Sequence, residues 1–199
     1  MRILVACEYS GKVREACAAL GHDAWSCDLL DTDVAGQHIK GDVLDILGDN
    51  WDIMIAHPPC TFLTVAANKW HKPEYKERFP NRDQDREDAI AFFMTLYNAP
   101  IEKIAIENPI GIMSSQFRKP DCVVQPWMFG HGETKATCFW LKNLPPLIPT
   151  HMKNDLFAHP EPEEREMRMF KLPPSKDRWK IRSETYDGIA QAIANQWAG

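Results

Sequence analysis

The cysteines of this chain show none of the close pairings that bind metals. The six cysteines are spread singly, as Cys7, Cys17, Cys27, Cys60, Cys122 and Cys138. Structural zinc sites use C-x-x-C pairs with a second cysteine or histidine pair downstream. We therefore predict no metal site and free thiols in a reducing compartment. Most free cysteines are small buried hydrophobic residues, so a functional assignment for any of them needs further evidence.

Long apolar runs and a basic charge balance are also missing. No stretch approaches the roughly 18 apolar residues of a membrane-spanning helix. The opening "MRILVACEYS" turns polar before it contains the apolar region of a signal peptide. The net charge is -5, whereas a dedicated nucleic-acid-binding protein usually carries a basic face. We expect a cytoplasmic protein with no membrane association, in which only a local patch could bind nucleic acid.

Glycine is scarce where a nucleotide-binding fold would need it. The first predicted strand, residues 2–7, is followed by "EYSG" (Glu8, Tyr9, Ser10 and Gly11), with a single glycine. Dinucleotide and triphosphate sites use several glycines there to bring backbone N–H groups to the phosphates. This turn argues against NAD and ATP, and it favours a cofactor without phosphates, such as S-adenosylmethionine.

Apolar strands alternate with helical segments along the chain. We predict strands at 2–7, 22–30, around 38–40, 52–56, 101–109 and 134–145, and helices at 10–21, 85–99 and 184–197. Ser10 is the predicted cap of the first helix. This order predicts an α/β fold: one Rossmann-like, doubly wound and mostly parallel sheet with helices on both faces, spanning residues 1–199 as a single domain.

Two segments interrupt this alternation. Residues 68–86 are polar and carry three aromatic residues among six lysines and arginines. Residues 150–182 are rich in proline and charge, and the run 165–182 within them contains seven basic residues: Arg165, Arg168, Lys171, Lys176, Arg178, Lys180 and Arg182. The basic run suits phosphate groups, and a solvated charged loop is the alternative interpretation.

Polar side chains cluster directly after the predicted strands. Asp28 ends the second strand and Asp42 follows the third. Parallel strands place their carboxyl ends at one edge of a sheet, where ligands of such folds bind. Asp28 is placed to accept hydrogen bonds from ribose hydroxyls, and Asp42 is placed to accept one from an exocyclic amine. Both could instead be solvated loop carboxylates.

The stretch "HPPC" presents Cys60 after two prolines. Proline fixes its own φ and restricts the residue before it, so the chain leaves the strand stiffly. That suits a nucleophilic thiol, whose pKa a nearby cation would have to lower, although a packed thiol is the commoner case. On the following major strand, Glu107 comes straight after the apolar "IAI". A carboxylate there is costly to bury unless it is paired or functional, and it could bond or protonate a ring nitrogen.

Taken together, these motifs resemble the cytosine carbon-5 methyltransferases. The matching stretches, in the order of that family, are "VACEYSGKVREA", "SCDLL", "GDVLDI", "HPPCT", "ENP" and "RSETYDGIAQAIANQW". The resemblance implies cofactor contacts at Glu8, Tyr9, Ser10, Gly11, Asp28, Leu29, Asp42, Val43, Pro58 and Gly188. It implies substrate contacts at His57, Pro59, Asn108 and Lys135, with Lys135 standing for a family arginine. Segment 68–86 corresponds to a mobile loop that covers the substrate.

The chemistry implied by this resemblance centres on Cys60 and Glu107. Cys60 would attack carbon 6 of cytosine while Glu107 bonds or protonates nitrogen 3. Carbon 5 would then take a methyl group from S-adenosylmethionine, a base would remove the carbon-5 proton, and Cys60 would leave; no metal takes part. The glycine-poor first turn departs from the family, and so does the short basic segment 150–182, which stands in place of a target-recognition domain.

Several substrates and roles fit this sequence. The substrate is DNA read with little specificity, DNA recognised with the help of a partner protein, or a free cytidine or deoxycytidine nucleotide. A catalytically silent protein that binds nucleic acid or a partner through the same fold is a further hypothesis. "HPPC" also resembles the Asp/Asn-Pro-Pro-aromatic motif of enzymes that methylate exocyclic amines, but Cys60 and Glu107 argue against that class.

Overall fold

Seven strands form one sheet in the computed structural model, which describes residues 1–151 and 165–199. They are β1 (Arg2–Ala6), β2 (Asp23–Asp28), β3 (His38–Lys40), β4 (Ile53–Ala56), β5 (Lys103–Pro109), β6 (Cys122–Val124) and β7 (Thr137–Lys142). Their order across the sheet is β3-β2-β1-β4-β5-β7-β6. The order reverses between β1 and β4, which is where ligands bind in doubly wound sheets.

The sheet is mixed. Strands β1 to β5 pair in parallel, whereas β7 runs antiparallel to both β5 and β6. The α/β class is therefore confirmed, but the sheet is not purely parallel. Pro109 at the end of β5 lies opposite Thr137 at the start of β7. The residues just before β7 consequently reach the same edge as the carboxyl ends of the parallel strands.

The helices follow the predicted order, with shorter pieces between them. They are α1 (Lys12–Ala18), α2 (Arg82–Tyr97), α3 (Met113–Gln116), α4 (Arg168–Lys171), α5 (Arg178–Ser183) and α6 (Asp187–Ile193), with a π-helical turn at Ala194–Ala198. Short 3₁₀ helices span Val43–Ile46, Val65–His71, Pro73–Tyr75 and Pro126–Phe129. Segment 68–86 is thus built of 3₁₀ turns and the start of α2. The sequence did not predict α3 and β6, because three or four residues show no period.

Alternation along the strands divides the core into two halves. Ile3 and Val5 of β1 are buried on one face of the sheet with residues of α1 and α6. Leu4 and Ala6 are buried on the other face with residues of α2. This is the period of two expected for a central strand covered on both sides. Among the described residues, no helix combines the length and the apolar character that a membrane crossing requires.

The prediction that Ser10 caps α1 is wrong. Gly11 occupies the cap position with φ of 73°, and glycine has no side chain that could cap the helix. The Glu8 carboxylate instead accepts hydrogen bonds from the backbone N–H groups of Val13 (2.7 Å) and Arg14 (3.3 Å). A negative charge is favoured at a helix N-terminus, so this glutamate occupies the place where a nucleotide-binding fold would hold a phosphate.

Candidate active site

Three segments predicted to hold a cofactor meet at the edge of the sheet. Burial raises the pKa of the Cys7 thiol, and the carboxylates of Asp28 and Asp42 raise it further. Asp28 Oδ1 accepts a hydrogen bond from the backbone N–H of Leu30 at 2.9 Å. In the same way, Asp42 Oδ1 accepts a hydrogen bond from the backbone N–H of Leu44 at 2.9 Å. Both carboxylates are therefore fixed beside the turn that follows β1, as the strand order requires.

Helix α5 lies over that first turn. Tyr9 is only 7% exposed, and its hydroxyl donates to the carbonyl oxygen of Lys180 at 2.9 Å and lies 2.8 Å from Ser183 Oγ. Lys180 Nζ pairs with Asp33 at 2.6 Å. The basic segment thus covers part of the predicted cofactor region. The predicted insertion 150–182 lies in part outside the described residues, which resume at 165.

Asn108 holds the turn that carries Cys60. Its side chain is 2% exposed, and Nδ2 donates to the carbonyl oxygen of Pro58 at 2.9 Å. The carbonyl oxygen of Cys60 in turn accepts the N–H groups of Leu63 and Thr64, both at 3.0 Å. The ends of β4 and β5 are therefore linked, and Cys60 sits at the start of a defined turn.

His57 and Glu107 form a pair across the ends of these two strands. His57 Nδ1 lies 3.2 Å from Glu107 Oε2, and the two side chains are 10% and 19% exposed. Burial alone would raise the pKa of Glu107, but the hydrogen bond from His57 and the charges of His57 and Lys135 lower it below its ordinary value. Glu107 is therefore a carboxylate at neutral pH.

Replacing Glu107 with glutamine should make stability less sensitive to acid. A carboxyl whose folded-state pKa is lowered stabilises the protein above its unfolded pKa, and this contribution is lost as the pH falls. We expect the free energy of unfolding of the wild type to fall below about pH 4.5 more steeply than that of Glu107→Gln. Urea titrations between pH 3 and 7 measure this. The exposed Glu77→Gln is the control, and equal slopes for wild type and Glu107→Gln would contradict the pairing.

The groups around Cys60 shift the pKa of its thiol in opposite directions. Burial raises the pKa of the thiol and the charge of Glu107 raises it further, whereas Lys135 and Arg182 lower it. The thiol is thus protonated in this state, but two cations lie within electrostatic reach of the sulfur. The sequence placed Arg182 only in a basic run, and its proximity to Cys60 depends on the fold.

Lys135 reaches this site from the loop before β7. Its Nζ donates to the carbonyl oxygen of Glu184 at 3.1 Å. Burial lowers its pKa, while the charges of Glu107 and Cys60 oppose that effect. The same loop is tied to the start of α6, because the Tyr186 hydroxyl donates to Glu133 Oε2 at 2.7 Å. Tyr186 has no signal in the sequence, since it precedes an ordinary helix.

A small pocket lies between His57, Glu107 and Lys135, and Cys60 is not among the residues that line it. It has accessible space of about 10 Å³, enough for about one water molecule. It is lined by His57, Glu107, Lys135, Thr137, Phe139, Thr185, Tyr186 and Ile189. A pyrimidine ring would need this pocket to widen. Among residues 1–151 and 165–199, no group of three or more histidine, cysteine or acidic side chains is arranged to hold a metal ion.

The other predicted cofactor residues differ in their surroundings. Leu29 is 71% exposed at the sheet edge, whereas Val43 is buried in the core. Gly188 lies in the first turn of α6, which packs on α1. Its N–H donates to His131 Nε2 at 3.0 Å, and a Cβ there would overlap the carbonyl oxygen of Phe129. Gly188 therefore has a packing role, and its cofactor contact stays a prediction.

Comparison with known proteins finds likenesses only among solved structures. No protein-family model and no curated protein matches the chain. One similar solved structure is a prophage-encoded protein from E. coli described as a DNA modification methyltransferase, with a TM-score of 0.44 and 14% identity. The likeness covers 70% of this chain, which spans only 45% of the length of that structure. At this level it does not define a substrate or a reaction for this chain.

Proposed function

We propose that this chain transfers a methyl group from S-adenosylmethionine to carbon 5 of cytosine, with Cys60 as the nucleophile. The observation that supports this most is the pairing of strand ends: Cys60 follows β4, and Glu107 lies near the end of the neighbouring β5. Lys135 and Arg182 supply positive charge at the thiol. A thiol, an acid and cations at one strand edge suit covalent attack on a heterocyclic ring.

Each of these groups has a task in the proposed reaction. The Cys60 thiol gives its proton to the Glu107 carboxylate, and Lys135 and Arg182 stabilise the thiolate that attacks carbon 6. Protonated Glu107 then donates that proton to nitrogen 3 and accepts a hydrogen bond from the exocyclic amine of cytosine. Attack at carbon 6 then makes carbon 5 electron-rich. Asn108 holds the turn before Cys60 so that the sulfur meets the ring from a fixed position.

The residues at the first three strand ends fit the proposed cofactor. Asp28 and Asp42 offer carboxylate oxygens for the ribose hydroxyls and the adenine amine. Glu8 already satisfies the N–H groups at the start of α1, which disfavours a phosphate at that position and suits a cofactor that has none. When bound, S-adenosylmethionine supplies an electrophilic methyl group.

DNA is the substrate that the surface around α4 and α5 supports best. Phe170 and Trp179 are 56% and 55% exposed, and Lys171 and Lys176 are exposed beside them. Cations near a site contact phosphates, and exposed aromatic rings stack on unpaired bases. An enzyme acting on a base in a duplex must flip it out of the stack, and such contacts would offset that cost.

The test is product analysis with a labelled donor. Purified protein is incubated with methyl-labelled S-adenosylmethionine and either DNA or deoxycytidine monophosphate, and the nucleosides are separated by mass spectrometry. We expect labelled 5-methylcytosine in the DNA sample. Label only in the mononucleotide would replace DNA with the free nucleotide as substrate. A third outcome is no label in either sample and no binding of S-adenosylmethionine by calorimetry in the presence of DNA. That result would favour the hypothesis of a catalytically silent binding protein.

A further inference from the structure

One nitrogen of the His57 ring is buried with no partner. Nδ1 faces Glu107 at 3.2 Å, and the side chain is only 10% exposed. Nε2 is shielded from solvent and makes no hydrogen bond to any described residue. A buried polar atom without a partner costs free energy. His57 also lines the small pocket, where a bound ligand would give Nε2 the missing partner.

The pairing with Glu107 defines what this nitrogen can do. An ionised carboxylate accepts hydrogen bonds and cannot donate one. Nδ1 must therefore carry the proton that it shares with Glu107, and in the neutral ring Nε2 is left as the acceptor. This is the arrangement by which a carboxylate orients a histidine base in hydrolytic triads. Histidine in general is the side chain best suited to exchange protons near neutral pH.

We infer that His57 is the general base that removes the carbon-5 proton after methyl transfer. This rests on the proposed function, in which carbon 5 carries both a proton and the new methyl group while carbon 6 is bonded to Cys60 Sγ. The lone pair of Nε2 takes the proton, and the electrons of the C5–H bond form the C5=C6 double bond. The C6–Sγ bond breaks and its electrons return to sulfur, so Cys60 leaves as a thiolate. The proton at nitrogen 3 returns to Glu107, and His57 becomes an imidazolium that loses its proton to solvent.

The other groups in the pocket are less suited to this step. The Lys135 Nζ already donates to the carbonyl oxygen of Glu184, and the charge of Glu107 favours its ammonium form against the effect of burial. The Tyr186 hydroxyl already donates to Glu133. Glu107 bonds His57 and, in the proposed reaction, the amine edge of the base. His57 is left as the ring whose Nε2 has no other partner, and it lies three residues before Cys60.

The experiment follows the fate of the carbon-5 proton. DNA with tritium at carbon 5 of cytosine is incubated with S-adenosylmethionine, and tritium released to water is counted for wild type and His57→Gln. We expect release to fall about 10²–10⁴-fold in His57→Gln. A covalent protein–DNA species carrying the labelled methyl group should accumulate on denaturing gels, because methyl transfer precedes the blocked step. A control is His22→Gln, since His22 also has a buried Nε2 with no described partner but lies before β2, at the opposite edge.

Two results would overturn the inference. Tritium release unchanged in His57→Gln excludes His57 as the base, and so does loss of release without the methylated adduct, because the block then lies before methyl transfer. Partial recovery of turnover in His57→Ala by added imidazole would support a chemical role over a structural one. A wild-type protein that releases no tritium and forms no adduct contradicts the proposed function itself, which separates that failure from failure of the base.

Discussion

Cys60→Ala is expected to reduce methyl transfer to cytosine by at least about 10⁴-fold. Without the thiol, the proposed nucleophile is lost and carbon 5 is not activated. Lys135 and Arg182 would remain in place but would have no thiolate to stabilise. Incorporation of labelled methyl groups into DNA measures the loss.

The same variant should keep its fold. Cys60 belongs to neither half of the buried core, so we expect the free energy of unfolding to change by no more than about 1 kcal/mol. DNA containing 5-fluorocytosine should trap a covalent adduct with the wild type and none with Cys60→Ala. Cys122→Ala, in β6, serves as the thiol control and should retain the adduct. Full activity in Cys60→Ala would refute the mechanism.

Arg14→Leu is expected to lower the free energy of unfolding by about 3–5 kcal/mol, the usual effect of breaking a buried, paired charge. Arg14 lies in α1 and is 0% exposed. Its guanidinium donates to Ser26 Oγ (3.0 Å), Thr32 Oγ1 (3.2 Å), the carbonyl oxygens of Val34 (2.7 Å) and Ala35 (3.3 Å), and Glu15 Oε1 (2.9 Å). A leucine would leave the buried Ser26 Oγ without this donor and would release the loop carbonyl oxygens that the guanidinium holds.

The Arg14→Leu substitution should also loosen the proposed cofactor region. Arg14 secures residues 32–35 of the loop after Asp28, and Asp33 within it binds Lys180 of α5. Urea unfolding measures the stability change, with the exposed Arg78→Leu as the matched control. A change below about 1 kcal/mol would show that water replaces the guanidinium at little cost. Calorimetry should then show weaker binding of S-adenosylmethionine in Arg14→Leu if the loop serves the cofactor.

Local patterns were sufficient to find the strands and the residues at their ends. The apolar runs before Asp28, His57 and Glu107 are long enough to indicate strands by themselves. Parallel order follows from their alternation with helices, and it places all three residues at one edge. The helices and strands that escaped prediction, α3, α4, α5 and β6, have three to six residues each and are too short to show a period. Ser10 was misplaced as a cap because a charged competitor, Glu8, lies two residues earlier and folds back onto the helix.

The sequence by itself therefore determined the α/β class, the sheet edge that carries the candidate site and the candidates Cys60 and Glu107. Only the tertiary structure decided which groups meet them. His57 pairs with Glu107 across 50 positions, and Tyr9 bonds α5 across more than 170. Lys135 lies near Glu107 because β7 runs antiparallel beside β5, which brings the loop before β7 to this edge. Such contacts depend on strand order and on the path of the loops, and residues that are remote in sequence carry no periodic signal of either.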